Sequence, residues 1–147
     1  MSKYDDILTS TDWLECNLNA PDIRILDASW HLPDTYRNPR LEFENLHIPG
    51  AQFFDIDLFS DPESSLPHMV PSIELFCELI KKLGIGDDDQ IVVYDSLGIF
   101  SSARVWWFLK YFGLSNVSIL NGGLPKWLAE NKAVTKEIRK FAASQVS

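Results

Sequence analysis

The sequence predicts an α/β fold in which a mainly parallel central sheet of about four to five strands carries helices on both faces. Short apolar runs alternate along the chain with segments whose apolar residues recur at helical spacing, as in β-α-β units. The short runs are apolar at nearly every position, which is typical of strands covered on both sides. The chain has 147 residues, of which 46% are hydrophobic and 23% charged, and this balance indicates one folded domain.

Each predicted element has a local signal. In the clearest helix, Ser72 can cap the first turn, and Ile73, Phe76 and Ile80 fall on one face before Gly84 ends the helix. Prolines and glycines separate the other elements. In chain order we predict a helix over 12–16 capped by Ser10 or Thr11, a strand over 23–28, one or two helical turns over 41–46, a strand over 51–54, a helix over 72–83, a strand over 91–94, a helix over 101–112, a strand over 117–120 and a helix over 124–130.

Composition excludes several classes of function. With 13 Lys and Arg against 21 Asp and Glu, the net charge of −8 disfavours binding to nucleic acid. The two cysteines form no CxxC motif, so no metal or redox site is expected. No apolar run is long enough to cross a membrane. The first six residues lack a secretory signal, so we expect a cytoplasmic protein.

The loop after the predicted strand 91–94 is the first candidate site. Ligands of parallel sheets bind at the carboxyl ends of the strands, and the helix that follows this loop offers free amides that attract anions. A nucleophile would stand at the start of the loop, where the sequence has Asp95. The charge of a carboxylate there would compete with an anionic ligand, and the simpler interpretation is that Asp95 accepts hydrogen bonds from its own loop.

Seven segments between Ile23 and Ala133 resemble segments of a known protein family and occur in the same order as they do there. They are Leu26-Asp27-Ala28-Ser29-Trp30, His47-Ile48-Pro49-Gly50-Ala51, Phe53-Phe54-Asp55-Ile56-Asp57, Leu66-Pro67-His68-Met69, Val92-Val93-Tyr94-Asp95, Ala103-Arg104-Val105-Trp106-Trp107 and Leu120-Asn121-Gly122-Gly123-Leu124. In these segments the chain resembles the N-terminal, non-catalytic domain of tandem rhodanese sulfurtransferases of the thiosulfate and 3-mercaptopyruvate types.

The resemblance implies that Asp95 occupies the position of the sulfur-carrying cysteine in catalytic rhodanese domains. It implies a rhodanese-like domain over 1–134, and a linker or tail over 135–147 leading towards a C-terminal catalytic domain, which would be the partner of this chain. The intact protein would move sulfane sulfur from 3-mercaptopyruvate or thiosulfate to a thiol or cyanide, with no cofactor and no metal. We therefore expect the isolated chain to be inactive.

The same resemblance assigns roles to four further residues. Asp57 and His68 match an Asp and a His proposed to assist catalysis in the mercaptopyruvate type, with a structural histidine as the alternative. Trp30 and Phe100 match aromatic residues that wall the substrate pocket, with core packing as the alternative. His47, in a His-Ile-Pro-Gly turn, is expected to be structural.

Two other functions compete with the enzyme half. A stand-alone inactive rhodanese module would bind a partner protein through the stretch 53–69 and the Trp106-Trp107 pair. A phosphatase-like activity would need a cysteine where Asp95 stands, and it ranks far below the other two.

Overall fold

The computed structural model describes residues 7–30, 37–55, 73–86, 89–97, 101–114 and 116–137. Within these residues, one parallel sheet of five strands in the order β1-β5-β4-β2-β3 is flanked by five helices, and the predicted fold class is confirmed. The elements are β1 (Leu8–Thr9), α1 (Thr11–Cys16), β2 (Ile23–Asp27), α2 (Pro39–Asn45), β3 (Ala51–Phe53), α3 (Ile73–Lys82), β4 (Gln90–Tyr94), α4 (Ser101–Tyr111), β5 (Val117–Leu120) and α5 (Gly123–Ala129).

The strand β1 was not predicted from the sequence. It has two residues, and its partner is β5, where Leu8 lies opposite Ile119 and Thr9 opposite Leu120. A two-residue strand has no measurable alternation, so only the distant partner reveals it. The order of the elements therefore begins with a strand that extends one edge of the sheet.

The two faces of the sheet bury different side chains. Successive residues of a strand point to opposite faces, so in β4 Val93 joins the core on one side and Val92 the core on the other. Helices α3 and α4 cover the Val93 face, which we call face A, and α1, α2 and α5 cover the Val92 face, which we call face B. The predicted placement of helices on both faces is confirmed.

Local sequence explains where two of the helices begin. The Ser10 side chain accepts a hydrogen bond of 3.0 Å from the Trp13 amide and caps α1. Asn38 caps α2 in the same way, with Pro39 in the first turn, where its missing amide proton costs nothing. Helical turns were predicted over 41–46, and α2 begins two residues earlier, at Pro39.

Residues 133–137, after α5, are attached to the domain, although 135–147 is predicted to be a linker or tail. Thr135 forms an isolated antiparallel bridge with His47. The indole nitrogen of Trp127, a fully buried side chain, donates to the carbonyl of Ala133 over 2.8 Å. The chain therefore stays bound to the domain as far as Glu137. In the part of the chain that the structure describes, no helix is long and apolar enough to span a bilayer.

Candidate functional site

The carboxyl ends of β2 and β4 bring two buried aspartates to one edge of the sheet. Asp27 lies opposite Tyr94 in the parallel register, and Asp95 directly follows the end of β4. Asp27 is 2% exposed and Asp95 is 1% exposed. Because side chains alternate along each strand, Asp27 points to face B, as Ile25 does, and Asp95 points to face A, as Val93 does.

Both carboxylate oxygens of Asp95 accept hydrogen bonds from backbone amides. Oδ1 accepts from Leu97 over 2.9 Å, and Oδ2 accepts from Ser102 over 2.8 Å. Ser102 is the second residue of α4, where backbone amides have no partner within the helix and the helix dipole favours negative charge. The place where this loop would hold an incoming anion is therefore filled by a carboxylate of the chain itself.

Further hydrogen bonds fix the loop that carries Asp95. The Leu124 amide, in the first turn of α5, donates to the carbonyl of Asp95 over 3.0 Å. The Ser96 amide donates to the hydroxyl of Ser29 over 2.9 Å, and the Ser101 hydroxyl donates to the carbonyl of Ala28 over 2.6 Å. The described ends of this loop, residues 95–97 and Ser101, are thus tied to α5 and to the residues that follow β2.

Asp27 belongs to a buried network on face B. Its Oδ1 accepts hydrogen bonds from the amide of Ser29 over 2.9 Å and from its hydroxyl over 2.5 Å. Tyr94, fully buried, is hydrogen-bonded to the same carboxyl, and its hydroxyl accepts from the Ile48 amide over 3.3 Å. These bonds connect the ends of β2 and β4 to the turn before β3.

Burial raises the pKa of the Asp27 carboxyl to about 6, and the nearby charge of Asp95 acts in the same direction. The hydrogen bonds from Ser29 and Tyr94 lower this pKa and offset part of the effect. The pKa of the Tyr94 hydroxyl lies well above its ordinary value, because burial and then the Asp27 charge disfavour the phenolate. Tyr94 therefore stays a neutral donor, and Asp27 changes charge near pH 6.

A cleft of about 440 Å³ opens between α2 and α5 above this network, a volume within the usual range for small-molecule sites. Its polar lining includes Asp27, Ser29 and Ser96, and Leu128 lies in its apolar wall. The cationic residue among the described lining residues, Arg37, is held by Glu42 in a two-bond ion pair of 2.9 and 3.0 Å. The cleft thus offers carboxyl groups and a neutralised arginine, which is a poor environment for an anion.

The structure describes two of the five residues named as site candidates. Asp95 lies at the start of the loop, as already described, and Trp30 lies just after β2, half-buried against the face A core. Asp57, His68 and Phe100 lie outside the described residues. No described group of three or more His, Cys, Asp and Glu side chains could hold a metal ion.

Neither cysteine lies on the loop after β4. Cys16 is exposed at the end of α1, and Cys77 is partly buried on α3. His47, expected to be structural, is fully buried between α2 and β3 and bonded to backbone carbonyls through both ring nitrogens.

The Asp27 network is the part of the site that the sequence did not predict. Asp27, Ser29 and Tyr94 belong to the segments that resemble the rhodanese family, but no role was predicted for them. The available signal was an aspartate at the end of an apolar strand, two residues before a serine, because a buried carboxyl in that position needs nearby donors.

Comparisons with known proteins are consistent with this architecture. The family model described as a rhodanese-like domain matches residues 10–130. Thiosulfate/3-mercaptopyruvate sulfurtransferase 1, mitochondrial, from Arabidopsis thaliana is 53% identical over 122 residues, which cover 83% of this chain and 32% of that protein. Human 3-mercaptopyruvate sulfurtransferase is 46% identical over 130 residues, which cover 84% of this chain and 44% of that protein.

A solved structure extends the likeness to the fold. The crystal structure of SseA, a 3-mercaptopyruvate sulfotransferase from Escherichia coli, aligns with a TM-score of 0.89 and 39% identity, covering 94% of this chain and 53% of that one. The chain spans less than half the length of the curated relatives just named. On the family match and these identities, the chain belongs to the rhodanese-like domain family and is homologous to the 3-mercaptopyruvate and thiosulfate sulfurtransferases.

Proposed function

We propose that this chain is the N-terminal, non-catalytic half of a two-domain sulfurtransferase. The intact enzyme moves sulfane sulfur from 3-mercaptopyruvate or thiosulfate to a thiol or cyanide, through a persulfide on a cysteine of the second domain. The observation that carries the proposal is the carboxylate of Asp95 at the start of the loop. This carboxylate accepts hydrogen bonds from the backbone amides of Leu97 and Ser102.

Two chemical arguments support an inactive loop. A carboxylate has no sulfur atom that could hold the transferred sulfur, and its two oxygens already use the amides of Leu97 and Ser102. Both proposed donors are anions, and an anion entering here would meet the charge of Asp95 in a buried setting. The adjoining cleft does not compensate, because the guanidinium of Arg37 is already paired with Glu42.

The length of the relatives supports a second domain. This chain aligns with 32% of the Arabidopsis thaliana relative and 44% of the human one, so each has ample length for another domain of similar size. In the proposed arrangement residues 1–134 form the rhodanese-like domain and residues 135–147 lead towards the catalytic domain. The catalytic domain is then the main partner of this chain, and the donor and acceptor are small molecules bound at the second domain's loop.

This half contributes to the enzyme through the residues that surround the partner's loop. Trp30 supports this role because it follows β2 at the carboxyl edge of the sheet, where ligands of such sheets bind. Phe100 is proposed as a second wall residue, and Asp57 with His68 as an accessory pair in which the carboxylate orients the imidazole. These three assignments come from the family resemblance of the sequence.

The test is persulfide formation by the chain itself. We expect the full chain, incubated with thiosulfate or 3-mercaptopyruvate, to gain no sulfur atom at the loop by mass spectrometry and to form no thiocyanate from cyanide. A Cys16→Ser/Cys77→Ser variant removes background reaction at the two existing thiols. Turnover by this cysteine-free variant would overturn the proposal.

Asp95→Cys provides the matched gain of function, with Asp95→Ser as its control. A thiolate at this position can use the amides of Leu97 and Ser102 that now bind the carboxylate, and such donors favour the reactive thiolate. In the cysteine-free background we expect Asp95→Cys to take up sulfur and Asp95→Ser to take up none. Equal behaviour of the two variants would show that the identity of residue 95 does not decide activity.

A stand-alone binding module is the second candidate, and an exposed aromatic pair on α4 favours it. Trp107 is 47% exposed and Tyr111 is 61% exposed, and their rings stack with centroids 5.3 Å apart. The two candidates differ in what the gene encodes after Ser147. A second domain with a cysteine in its loop supports the enzyme half, and a stop codon at that point supports the module.

A further inference from the structure

The cleft between α2 and α5 has apolar surface on the side formed by α5. Leu124 and Leu128 both line the cleft, and they share one face of the helix because they lie four residues apart. Leu128 is 41% exposed. On the opposite side, Leu46 of α2 lines the cleft and is partly buried. A molecule with an apolar group would therefore remove apolar surface from water by binding here.

The bottom of the cleft contains the buried carboxyl of Asp27. Among the described residues, its hydrogen-bond partners are neutral groups, namely the amide and hydroxyl of Ser29 and the hydroxyl of Tyr94. The neighbouring charge of Asp95 has the same sign. Burial raises the pKa of Asp27 to about 6, so this carboxyl is mostly ionised at neutral pH. A cation in the cleft would offset the cost of that buried charge.

The other charged residues of the described lining do not change its sign. The guanidinium of Arg37 is held by the carboxylate of Glu42 through two hydrogen bonds of 2.9 and 3.0 Å. This pair brings no net charge, and Asp27 is the remaining charged residue of the described lining. The lining is therefore negative overall, and it favours a cation over an anion of the same shape.

A hydroxyl beside Asp27 has an unused capacity for hydrogen bonding. The side-chain oxygen of Ser96 is buried and has no hydrogen-bond partner among the described residues, whereas its amide donates to the hydroxyl of Ser29. Buried polar atoms are nearly always paired. Because Ser96 lines the cleft, the missing partner of its hydroxyl can come from a molecule bound there.

A primary ammonium matches the acceptors at the bottom of the cleft, because it has three N–H donors and no acceptor. A carboxylate has about four acceptor sites, and described residues use three of those on Asp27, namely two bonds from Ser29 and one from Tyr94. The Ser29 hydroxyl accepts one bond, from the Ser96 amide, and can accept a second. With the hydroxyl of Ser96, three acceptors remain for three donors.

We propose that the cleft binds a small organic cation, with a primary ammonium directed to Asp27, Ser29 and Ser96 and an apolar group against α5. Inorganic cations fit less well, because no described group of three or more His, Cys, Asp and Glu side chains could hold a metal ion. The cleft volume of about 440 Å³ accommodates a molecule of this kind. The site uses neither the sulfur chemistry nor the second domain, so it stands or fails separately from the proposed function.

Three probes of similar shape test the preference for a cation. Benzylammonium, benzyl alcohol and benzoate are titrated into the full chain at neutral pH, and binding is followed by NMR at the amides of Ser29, Ser96 and Leu128. We expect benzylammonium to bind about tenfold more tightly than benzyl alcohol, because a charged hydrogen bond replaces a neutral one. Benzoate should bind no more tightly than the alcohol. Equal affinities of benzylammonium and the alcohol, or shifts confined to amides outside the cleft, would overturn the proposal.

Substitutions in the cleft separate its charge from its apolar side. Asp27→Asn should abolish the preference for benzylammonium over benzyl alcohol, while Asp12→Asn, at an exposed position outside the described lining, should keep it. Loss of the preference in both variants would assign it to the net charge of the chain and overturn the site. Leu128→Ala should weaken benzylammonium and benzyl alcohol alike, by about threefold, because both lose the same apolar contact. Unchanged binding of both probes would overturn the placement of the apolar group.

Discussion

Replacing Asp27 by Asn should change how the stability of this domain depends on pH. The carboxyl is 2% exposed, and burial raises its pKa from 3.8 to about 6. Because this pKa is higher in the folded state than in the unfolded state, the protonated carboxyl stabilises the fold. This contribution to the free energy of unfolding is fully present below pH 3.8 and is lost as the pH rises through about 6. The native carboxylate therefore destabilises the fold at neutral pH.

The size of the effect follows from the two pKa values. The folded-state value lies about 2 units above the unfolded one, and at about 1.4 kcal/mol per unit this corresponds to about 3 kcal/mol. Asn cannot ionise, and its carbonyl oxygen can still accept from Ser29. Its amide group disturbs the contact with Tyr94, which costs about 1 kcal/mol. We expect Asp27→Asn to be less stable than the native protein by about 1 kcal/mol near pH 4 and more stable by about 2 kcal/mol at pH 7.

Urea unfolding of both proteins across this pH range measures the difference. Subtracting the two curves removes the contributions of the other carboxyl groups, which the variants share. Asp12→Asn is the matched control: hydrogen bonding and charge from Lys132 lower the pKa of the exposed Asp12, so its contribution is lost as the pH falls. Parallel curves for Asp27→Asn and the native protein would refute the assignment of a raised pKa to Asp27.

Four further substitutions test the hydrogen bonds of the site and the packing of the domain. Asp95→Ala leaves the amides of Leu97 and Ser102 without an acceptor and should lower the free energy of unfolding by about 2–4 kcal/mol, and Asp95→Asn by about half of that. Equal losses in the two variants would contradict two separate bonds. Leu109→Ala, at a fully buried position, should cost about 3 kcal/mol. Trp107→Ala, at a position 47% exposed, should cost less than about 1 kcal/mol in the same urea assay, and a loss equal to that of Leu109→Ala would show that Trp107 is part of the core.

The sequence predicted the sheet and most helices because their signals are local. The run Ile91 to Tyr94 is apolar at every position, and the structure buries it on both faces between β2 and β5. α3 was predicted over 72–83 and is observed as Ile73–Lys82, because its apolar face shows the helical spacing and Gly84 marks its end; Ser72, the predicted cap, lies outside the described residues. These elements carry enough residues for their periodicity to be read without knowledge of their partners.

The features that the sequence did not predict depend on distant contacts. β1 is defined by its pairing with β5, more than a hundred residues away in the chain. The attachment of Thr135 depends on His47, and the pair shares no pattern within one window of sequence. Such contacts follow from the path of the chain around the sheet, which local propensity does not encode.

The candidate site divides in the same way. Asp95 could be found because it begins a loop between a strand and a helix, and its hydrogen bonds to that loop and helix are local. The Asp27 network spans β2, β4 and the turn before β3, so its members come together only in the folded sheet. In the sequence, such a network is indicated only by a polar residue at the end of an apolar strand. This signal identifies one member of the network but not its hydrogen-bond partners.

The two buried carboxyls at this edge have different partners. Asp95 has one backbone amide at each oxygen and the first turn of α4 beside it. Asp27 has a serine and a tyrosine, which lower its pKa less than burial raises it, and the charge of Asp95 adds to the increase. Ionising Asp27 is thus made more costly by the residue that fills the loop. A neutral residue at position 95 would remove that contribution and leave burial as the cause of the raised pKa, so the energetics of the Asp27 network depend in part on the charge that fills the loop in this chain.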